Sequence, residues 1–153
     1  RDRWINNNRF RVPPPMALLQ SAIWQNWTDL MSRLVGKLHE AEIPLLAGSD
    51  AGGPPGVLPG YSLHEELSLL VQAGLSPYEA LRTATVNPAI YLESKQEFGK
   101  VVAGYRADLV LLTGNPLADI DHIQTRVGVM KRGRWFSAGE LETALAQLAE
   151  ERK

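Results

Sequence analysis

The feature that most constrains the fold is a short apolar run between a long helical pattern and a glycine-rich loop. Residues 43–47 (IPLLA) form the run, and residues 48–60 are rich in glycine and proline. Such a run is typical of a strand buried on both faces. A helix, a buried strand and a Gly-rich loop indicate an α/β fold, in which functional groups gather at the carboxyl ends of the strands.

Residues 16–41, before the apolar run, carry the pattern of one long amphipathic helix. Apolar side chains recur there every three or four residues, which predicts a buried face. We expect the indoles of Trp24 and Trp27 to lie in the core, because side chains of that size are rarely left exposed. The apolar positions are Leu19, Ile23, Trp27, Leu30, Leu34 and Leu38.

Two Ser-x-x-Glu sequences after the loop predict the starts of two further helices. Ser62 with Glu65, and Ser76 with Glu79, have the spacing of a capping box, and Pro77 stands at a first helical position. A short helical turn is expected from Asn87 to Leu92, and a charged, Ala-rich helix over 140–151. The polar segment 1–15 is expected to be a loop.

The part of the chain between these helices has the pattern of strands. Residues 107–112 (ADLVLL) predict one strand, and a further strand is expected near Val101. Residues 126–130 and 134–136 flank Lys-Arg-Gly, which predicts a β-hairpin.

Composition excludes several classes of function. The formal net charge of the 153 residues is −1, which argues against a nucleic-acid or anionic-membrane partner, since such partners need a basic face. The absence of cysteine excludes a thiolate nucleophile, and it fits a cytoplasmic location. No apolar run is long enough to span a bilayer. Because the chain begins with Arg1, we expect it to be a piece of a longer protein.

Asp50 and His64 are the candidate functional residues. Asp50 follows the predicted strand among glycines that let a ligand approach, where a carboxylate can bind a metal or move a proton; the alternative is an aspartate that stabilises a turn. His64 lies in the first turn of the next helix, where it could be a ligand itself, support a metal ligand or contact substrate; the alternative is a surface histidine.

The other two histidines are expected to be structural. His39 lies in the last turn of the long helix and His122 in a polar turn between strands. No two histidines have the H-x-H or H-x-x-x-H spacing, so the chain holds no complete zinc motif. The loop after Ala47 matches neither a phosphate-binding loop nor the G-x-S-x-G sequence of serine hydrolases.

Taken in order, these pieces resemble the C-terminal part of the metal-dependent amidohydrolases, in their imidazolonepropionase/prolidase-like branch. The matching stretches are IPLLAGSDAGG (43–53), SLHEELSLLVQAGLSPYEALRTATVNPAIYL (62–92), GKVVAGYRADLVLLTGNPLADI (99–120) and VGVMKRGRWF (127–136).

The resemblance implies the last strand and flanking helices of a (β/α)8 barrel over 1–98. It further implies part of a small β-sandwich over 99–136, followed by a C-terminal helix over 137–153. Asp50 would ligate a divalent metal, zinc by preference, and move the proton of the attacking water, while His64 would lie in the pocket or support a ligand. Asp108 would be structural. The substrate would be a small molecule with a C–N bond.

The chain departs from the family pattern in length. A (β/α)8 barrel needs about 250 residues, and the family's H-x-H pair, carboxylated lysine and two later histidines have no counterpart here. We therefore expect a C-terminal fragment of a hydrolase that is inactive alone and either forms homo-oligomers or needs upstream sequence. The alternatives are a non-catalytic oligomerisation module and one subunit of a split hydrolase.

Overall fold

The computed structural model describes residues 14–51, 57–94 and 97–150. These residues fall into two compact units, Arg1–Leu75 and Ser76–Lys153. The loop predicted over 1–15 lies outside the described residues except for its last two, which begin a helix. The boundary predicted after residue 98 separates the barrel part from the sandwich part of the family's fold. It is a different division from the one between these two units, and it stays a prediction.

The first unit contains two helices, α1 (Pro14–Glu40) and α2 (Tyr61–Gln72). The long helix predicted over 16–41 is therefore confirmed. The two helices approach closely at Gly36, where a Cβ atom would lie 2.7 Å from the backbone oxygen of Ala73. A side chain at position 36 would force the helices apart, so glycine there serves the packing.

The face of α1 that was expected to be buried is about half exposed. Ile23 is 58% exposed and Trp27 is 54% exposed, so the core position predicted for Trp27 is wrong. The close approach of α1 to α2 at Gly36 lies in the C-terminal part of α1, whereas Ile23 and Trp27 lie earlier in the helix. The side chain of Trp24 lies outside the described part of the chain.

Residues 43–50 belong to neither a helix nor a strand, so the strand predicted over 43–47 is not formed here. Ile43 and Leu46 are 48% and 47% exposed rather than buried on both faces. A strand needs the backbone of a neighbouring strand to complete its hydrogen bonds. The strands of the described residues all lie in 109–137, within the other unit.

The capping box predicted for Ser62 and Glu65 is also wrong. Gly60 is the N-cap of α2 and no side chain caps the helix there, because Ser62 lies one residue inside the first turn. Its hydroxyl oxygen instead accepts a hydrogen bond from the backbone N–H of Leu58.

The second unit opens with α3 (Pro77–Ala84) and α4 (Val86–Tyr91), as predicted. The capping box at Ser76 is confirmed: the backbone N–H of Glu79 donates to Ser76 Oγ at 3.3 Å, and that of Ser76 donates to Glu79 Oε2 at 2.8 Å. The buried residues of these helices are Ala80, Thr83 and Ala89.

A three-stranded antiparallel sheet follows, with β1 (Leu109–Leu112), β2 (Arg126–Lys131) and β3 (Arg134–Ser137) in the order β1-β2-β3. The predicted hairpin is confirmed. Arg132 and Gly133 at its turn both have positive φ, as a two-residue type I′ turn requires. A 3₁₀ turn, Ile120–Gln124, connects β1 to β2.

The strand expected near Val101 is absent from the described residues. Val101 is 84% exposed, and the backbone N–H of Tyr105 donates to the carbonyl of Val102, which closes a turn instead. The C-terminal helix is confirmed as α5 (Ala138–Glu150), which packs on β2 and β3. No helix in the described part of the chain combines the length and the hydropathy that crossing a bilayer requires.

Candidate active site

Asp50 ends an irregular segment, residues 43–50, which follows α1 after a two-residue turn. The backbone N–H of Ile43 donates to the carbonyl of Leu38 at 3.0 Å, and Glu42 has a φ of 58°, so the chain turns sharply out of the helix. Residues 43–50 then run without regular structure to Asp50, which is exposed. The turn at the end of α1 therefore determines where residues 43–50 begin, and Asp50 is the exposed last residue of that segment.

The backbone of Asp50 has an unusual conformation, with a φ of 50°. Aspartate and asparagine enter the left-handed region more readily than other residues with a Cβ, because their short side chains can bond locally. The exposed carboxylate of Asp50 is accessible to a metal ion or a substrate.

His64 lies in the first turn of α2, as predicted, and is half-buried. Its ring centroid lies 6.4 Å from that of Tyr61, with the ring planes inclined at 53°. Its backbone carbonyl accepts a hydrogen bond from the hydroxyl of Ser68, one turn further along the helix. The imidazole is therefore placed by the first turn of the helix and by the neighbouring phenol ring.

Glu66 is an acidic residue that the sequence reasoning missed. It occupies the apolar stripe of α2, three residues after Leu63 and beside Leu67 and Leu70, both of which are buried. Removal of the carboxyl from water raises its pKa above the ordinary value of 4.5. The sequence did contain a signal for this residue, since a glutamate occupies a position of the helix where the apolar repeat predicts a buried side chain.

The described residues bring no complete metal site together. Among them, no three of the histidines, aspartates and glutamates are grouped as ligands of one ion. Asp50 offers an oxygen donor suited to zinc, but a zinc site in an enzyme uses about three protein ligands. The described part of this chain therefore fits one ligand position and not a whole centre.

His122 has a structural contact, as expected. Its Nδ1 lies 2.9 Å from the carbonyl oxygen of Asn115, and since a carbonyl can only accept, Nδ1 donates the hydrogen. The ring also fills the space beside Gly114, where a Cβ would overlap it. His39 lies in the last turn of α1, the position predicted for it.

Asp108, expected to be structural, connects β1 to the hairpin turn. Its Oδ1 accepts a hydrogen bond from the backbone N–H of Arg132 at 2.7 Å, and its Oδ2 lies 2.5 Å from Arg106 Nε. The hydrogen bond from Arg132 is the main cause that lowers the pKa of Asp108. The backbone N–H of Gly133 also donates to the carbonyl of Ala107 at 3.0 Å.

Comparison with known proteins identifies the family. The amidohydrolase family model matches residues 31–136, more than two thirds of the chain and all of the candidate site. The chain belongs to the amidohydrolase family. Its relatives and structural neighbours place it in the imidazolonepropionase/prolidase-like branch, as the sequence motifs predicted.

Two imidazolonepropionases are among its amidohydrolase relatives. That of Rubrobacter xylanophilus is 44% identical over an alignment of 59 residues, which covers 35% of this chain and 14% of the relative. That of Salmonella heidelberg is 37% identical over 75 residues, which are 48% of this chain and 18% of the relative. The chain therefore matches less than a fifth of the length of these enzymes.

A solved structure agrees with the family assignment. A Xaa-Pro dipeptidase superposes with a TM-score of 0.62 at 27% identity, over 70% of this chain and 25% of the dipeptidase. The mixed helix and strand structure described above is thus compatible with part of an α/β amidohydrolase fold.

Proposed function

We propose that this chain supplies Asp50 to the active site of a metal-dependent hydrolase that cleaves C–N bonds of small amides, cyclic amides or dipeptides. The observation that carries the proposal is the position of Asp50. It ends the irregular segment 43–50 within the region that matches the amidohydrolase family, and it is exposed, with a left-handed backbone conformation.

The chemistry of a carboxylate suits both roles assigned to Asp50. One oxygen can ligate a divalent metal, zinc in this proposal, which when bound polarises the carbonyl of the substrate. The carboxylate can also take a proton from the attacking water and deliver it to the leaving nitrogen, so the C–O bond forms as the C–N bond breaks. The remaining metal ligands lie outside the described residues.

Within the same proposal, residues 43–50 are the last strand of a (β/α)8 barrel, which becomes a strand when its neighbours are present. The sheet β1-β2-β3 is part of a β-sandwich. His64 contacts the substrate or supports a metal ligand, because it lies in the helix that follows the Asp50 loop. The family match supports these assignments.

The decisive experiment is Asp50→Asn in the intact protein that contains this chain. General acid–base assistance is typically worth about 10²–10⁴-fold, and we expect turnover to fall by at least that much, together with the bound zinc. The substrates to assay are imidazolonepropionate and Xaa-Pro dipeptides, which the names of the relatives suggest. Asp29→Asn, a change at an exposed aspartate of α1, serves as the matched control.

Near-normal turnover of Asp50→Asn would remove this residue from the mechanism. The exposed apolar face of α1 favours a second candidate function, a module that associates with other chains. Under that alternative the wild-type protein holds no zinc and hydrolyses none of the substrates. If activity appears only when a second chain carrying the missing ligands is added, the protein is one subunit of a split hydrolase.

A further inference from the structure

Two reciprocal hydrogen bonds join Leu58 to Ser62 at the start of α2. The backbone N–H of Leu58 donates to Ser62 Oγ at 2.9 Å, and the backbone N–H of Ser62 donates to the carbonyl of Leu58 at 3.0 Å. Both residues are half-buried, and Gly60 between them has a φ of 80°. We call this pair of hydrogen bonds the Leu58–Ser62 clamp.

The clamp takes the place of an ordinary N-cap. The first backbone N–H groups of a helix have no partner within it, and a side chain at the N-cap commonly accepts from one of them. In α2 the N-cap is Gly60, which makes no side-chain bond. The hydroxyl of Ser62 accepts from the backbone N–H of Leu58, which precedes the helix, and not from a backbone N–H of the helix itself. The clamp therefore fixes the backbone conformation of residues 58–62, from which α2 starts.

The first turn of α2 contains His64, two residues after Ser62. The Tyr61 ring, which lies beside the His64 imidazole, precedes Ser62 directly. The clamp therefore fixes the backbone on which both rings are mounted. If the clamp opened, the first turn could fray, because helix ends without a cap are the least stable part of a helix.

We propose that Ser62 is a positioning residue that holds His64 in place for substrate binding. This inference rests on the proposed function and on the placement of His64 in the substrate pocket. Ser62 itself touches no reacting atom. Its loss should weaken the binding of substrate and transition state alike, which raises KM and leaves kcat nearly unchanged.

The test is a double-mutant cycle on KM in the intact enzyme, with Ser62→Ala, His64→Gln and the combination of the two. We expect Ser62→Ala to raise KM about 2- to 10-fold, the range that one net hydrogen bond allows. Because Ser62 acts through His64, the same change should have little effect when His64 is already replaced. Such non-additivity is the mark of two residues that act together.

Two further variants separate positioning from general stability. Ser62→Thr keeps a hydroxyl and should restore a KM near that of the wild type. Thr143→Ala removes a hydroxyl that donates to the backbone carbonyl of Gly139 within α5, away from His64 in the chain, and it should leave KM unchanged. Hydrogen exchange at the Leu58 amide should accelerate in Ser62→Ala alone, which reports the loss of the clamp directly.

Several outcomes would overturn the proposal. They are additive effects of Ser62→Ala and His64→Gln, an unchanged KM in a folded Ser62→Ala enzyme, or an equal rise in KM from Thr143→Ala. A fall in kcat without a change in KM would assign Ser62 to the chemical step instead. The proposed function is tested by the turnover and zinc content of Asp50→Asn, whereas the role of Ser62 is tested by KM. Failure of one can therefore be told apart from failure of the other.

Discussion

Asp50 and Glu66 are two carboxylates of the same unit in opposite surroundings. Asp50 is exposed at the end of the irregular segment 43–50, whereas Glu66 lies on the apolar stripe of α2 and has a raised pKa. The first could be predicted from the sequence, because an aspartate after an apolar run and before glycines is placed for chemistry. Glu66 was not predicted, because only the apolar residues of this helix were used to define its buried face.

The raised pKa of Glu66 predicts a pH dependence of stability. Folding disfavours the charged carboxylate of Glu66, so the contribution of this residue to stability is greatest below pH 4.5, its ordinary pKa, and is lost as pH rises through its raised pKa in the folded chain. Glu66→Gln removes this ionisation. The free energy of unfolding of the variant, relative to the wild type, should therefore increase from pH 4 to pH 7.

Urea unfolding of this chain at several pH values measures that difference. Glu142→Gln, at an exposed glutamate of α5, is the matched control and should show no comparable trend. If the difference between Glu66→Gln and the wild type is the same at every pH, the burial of Glu66 has no energetic consequence.

At the scale of elements, the same Ser-x-x-Glu spacing had different outcomes at Ser62 and Ser76. Ser76 has an extended backbone and caps α3 with Glu79, because Pro77 can begin a helix directly after it. Before Ser62, the chain enters the helix at Gly60, so the serine is already helical and its hydroxyl is available to Leu58. The motif specifies which groups can bond, but the backbone of the preceding turn decides whether they do.

The capping box of α3 gives a prediction at this scale. Ser76→Ala removes the hydroxyl that accepts from the backbone N–H of Glu79, and it should destabilise the second unit by about 1 kcal/mol. Thr143→Ala in α5 removes a hydroxyl that bonds within its own helix and is the matched control. Chemical denaturation followed by circular dichroism measures both variants, and an equal loss from each would contradict a specific role of the cap.

For the whole molecule, the exposed apolar side chains predict self-association of this chain when it is studied alone. In α1, Leu30 and Leu34 are 49% and 48% exposed, and in α5, Leu145 and Leu148 are 61% and 53% exposed. Large exposed apolar patches mark association sites. Sedimentation velocity at increasing concentration should show oligomers or aggregates, and Leu30→Glu combined with Leu34→Glu should shift the distribution towards monomer.

A monodisperse monomer with a cooperative melt, at concentrations of tens of micromolar, would contradict this expectation. It would mean that the half-exposed face of α1 needs no partner. An unchanged distribution in the double variant would instead assign the association to another surface.

The helices and the hairpin could be predicted because their signals are local. Periodic apolar residues, the Ser76 cap and the turn at Arg132-Gly133 act over a few residues, and the structure confirms each of them. The strand at 43–47 and the burial of Trp27 could not, because both depend on neighbours that the local sequence does not contain. For the same reason the sequence points to Asp50 as one metal ligand and gives no account of the others.

The indole of Trp135 can serve as a fluorescent probe of the β2–β3 hairpin. It covers Gly128 on the neighbouring strand so closely that a Cβ there would overlap the ring. Tryptophan emission depends on the polarity around the indole, and Trp135 is the single tryptophan in residues 76–153. With Trp4, Trp24 and Trp27 replaced by phenylalanine, the tryptophan fluorescence of the chain would come from the β2–β3 hairpin alone. The unfolding of the sheet would then have its own optical signal, separate from that of the helices in the first unit.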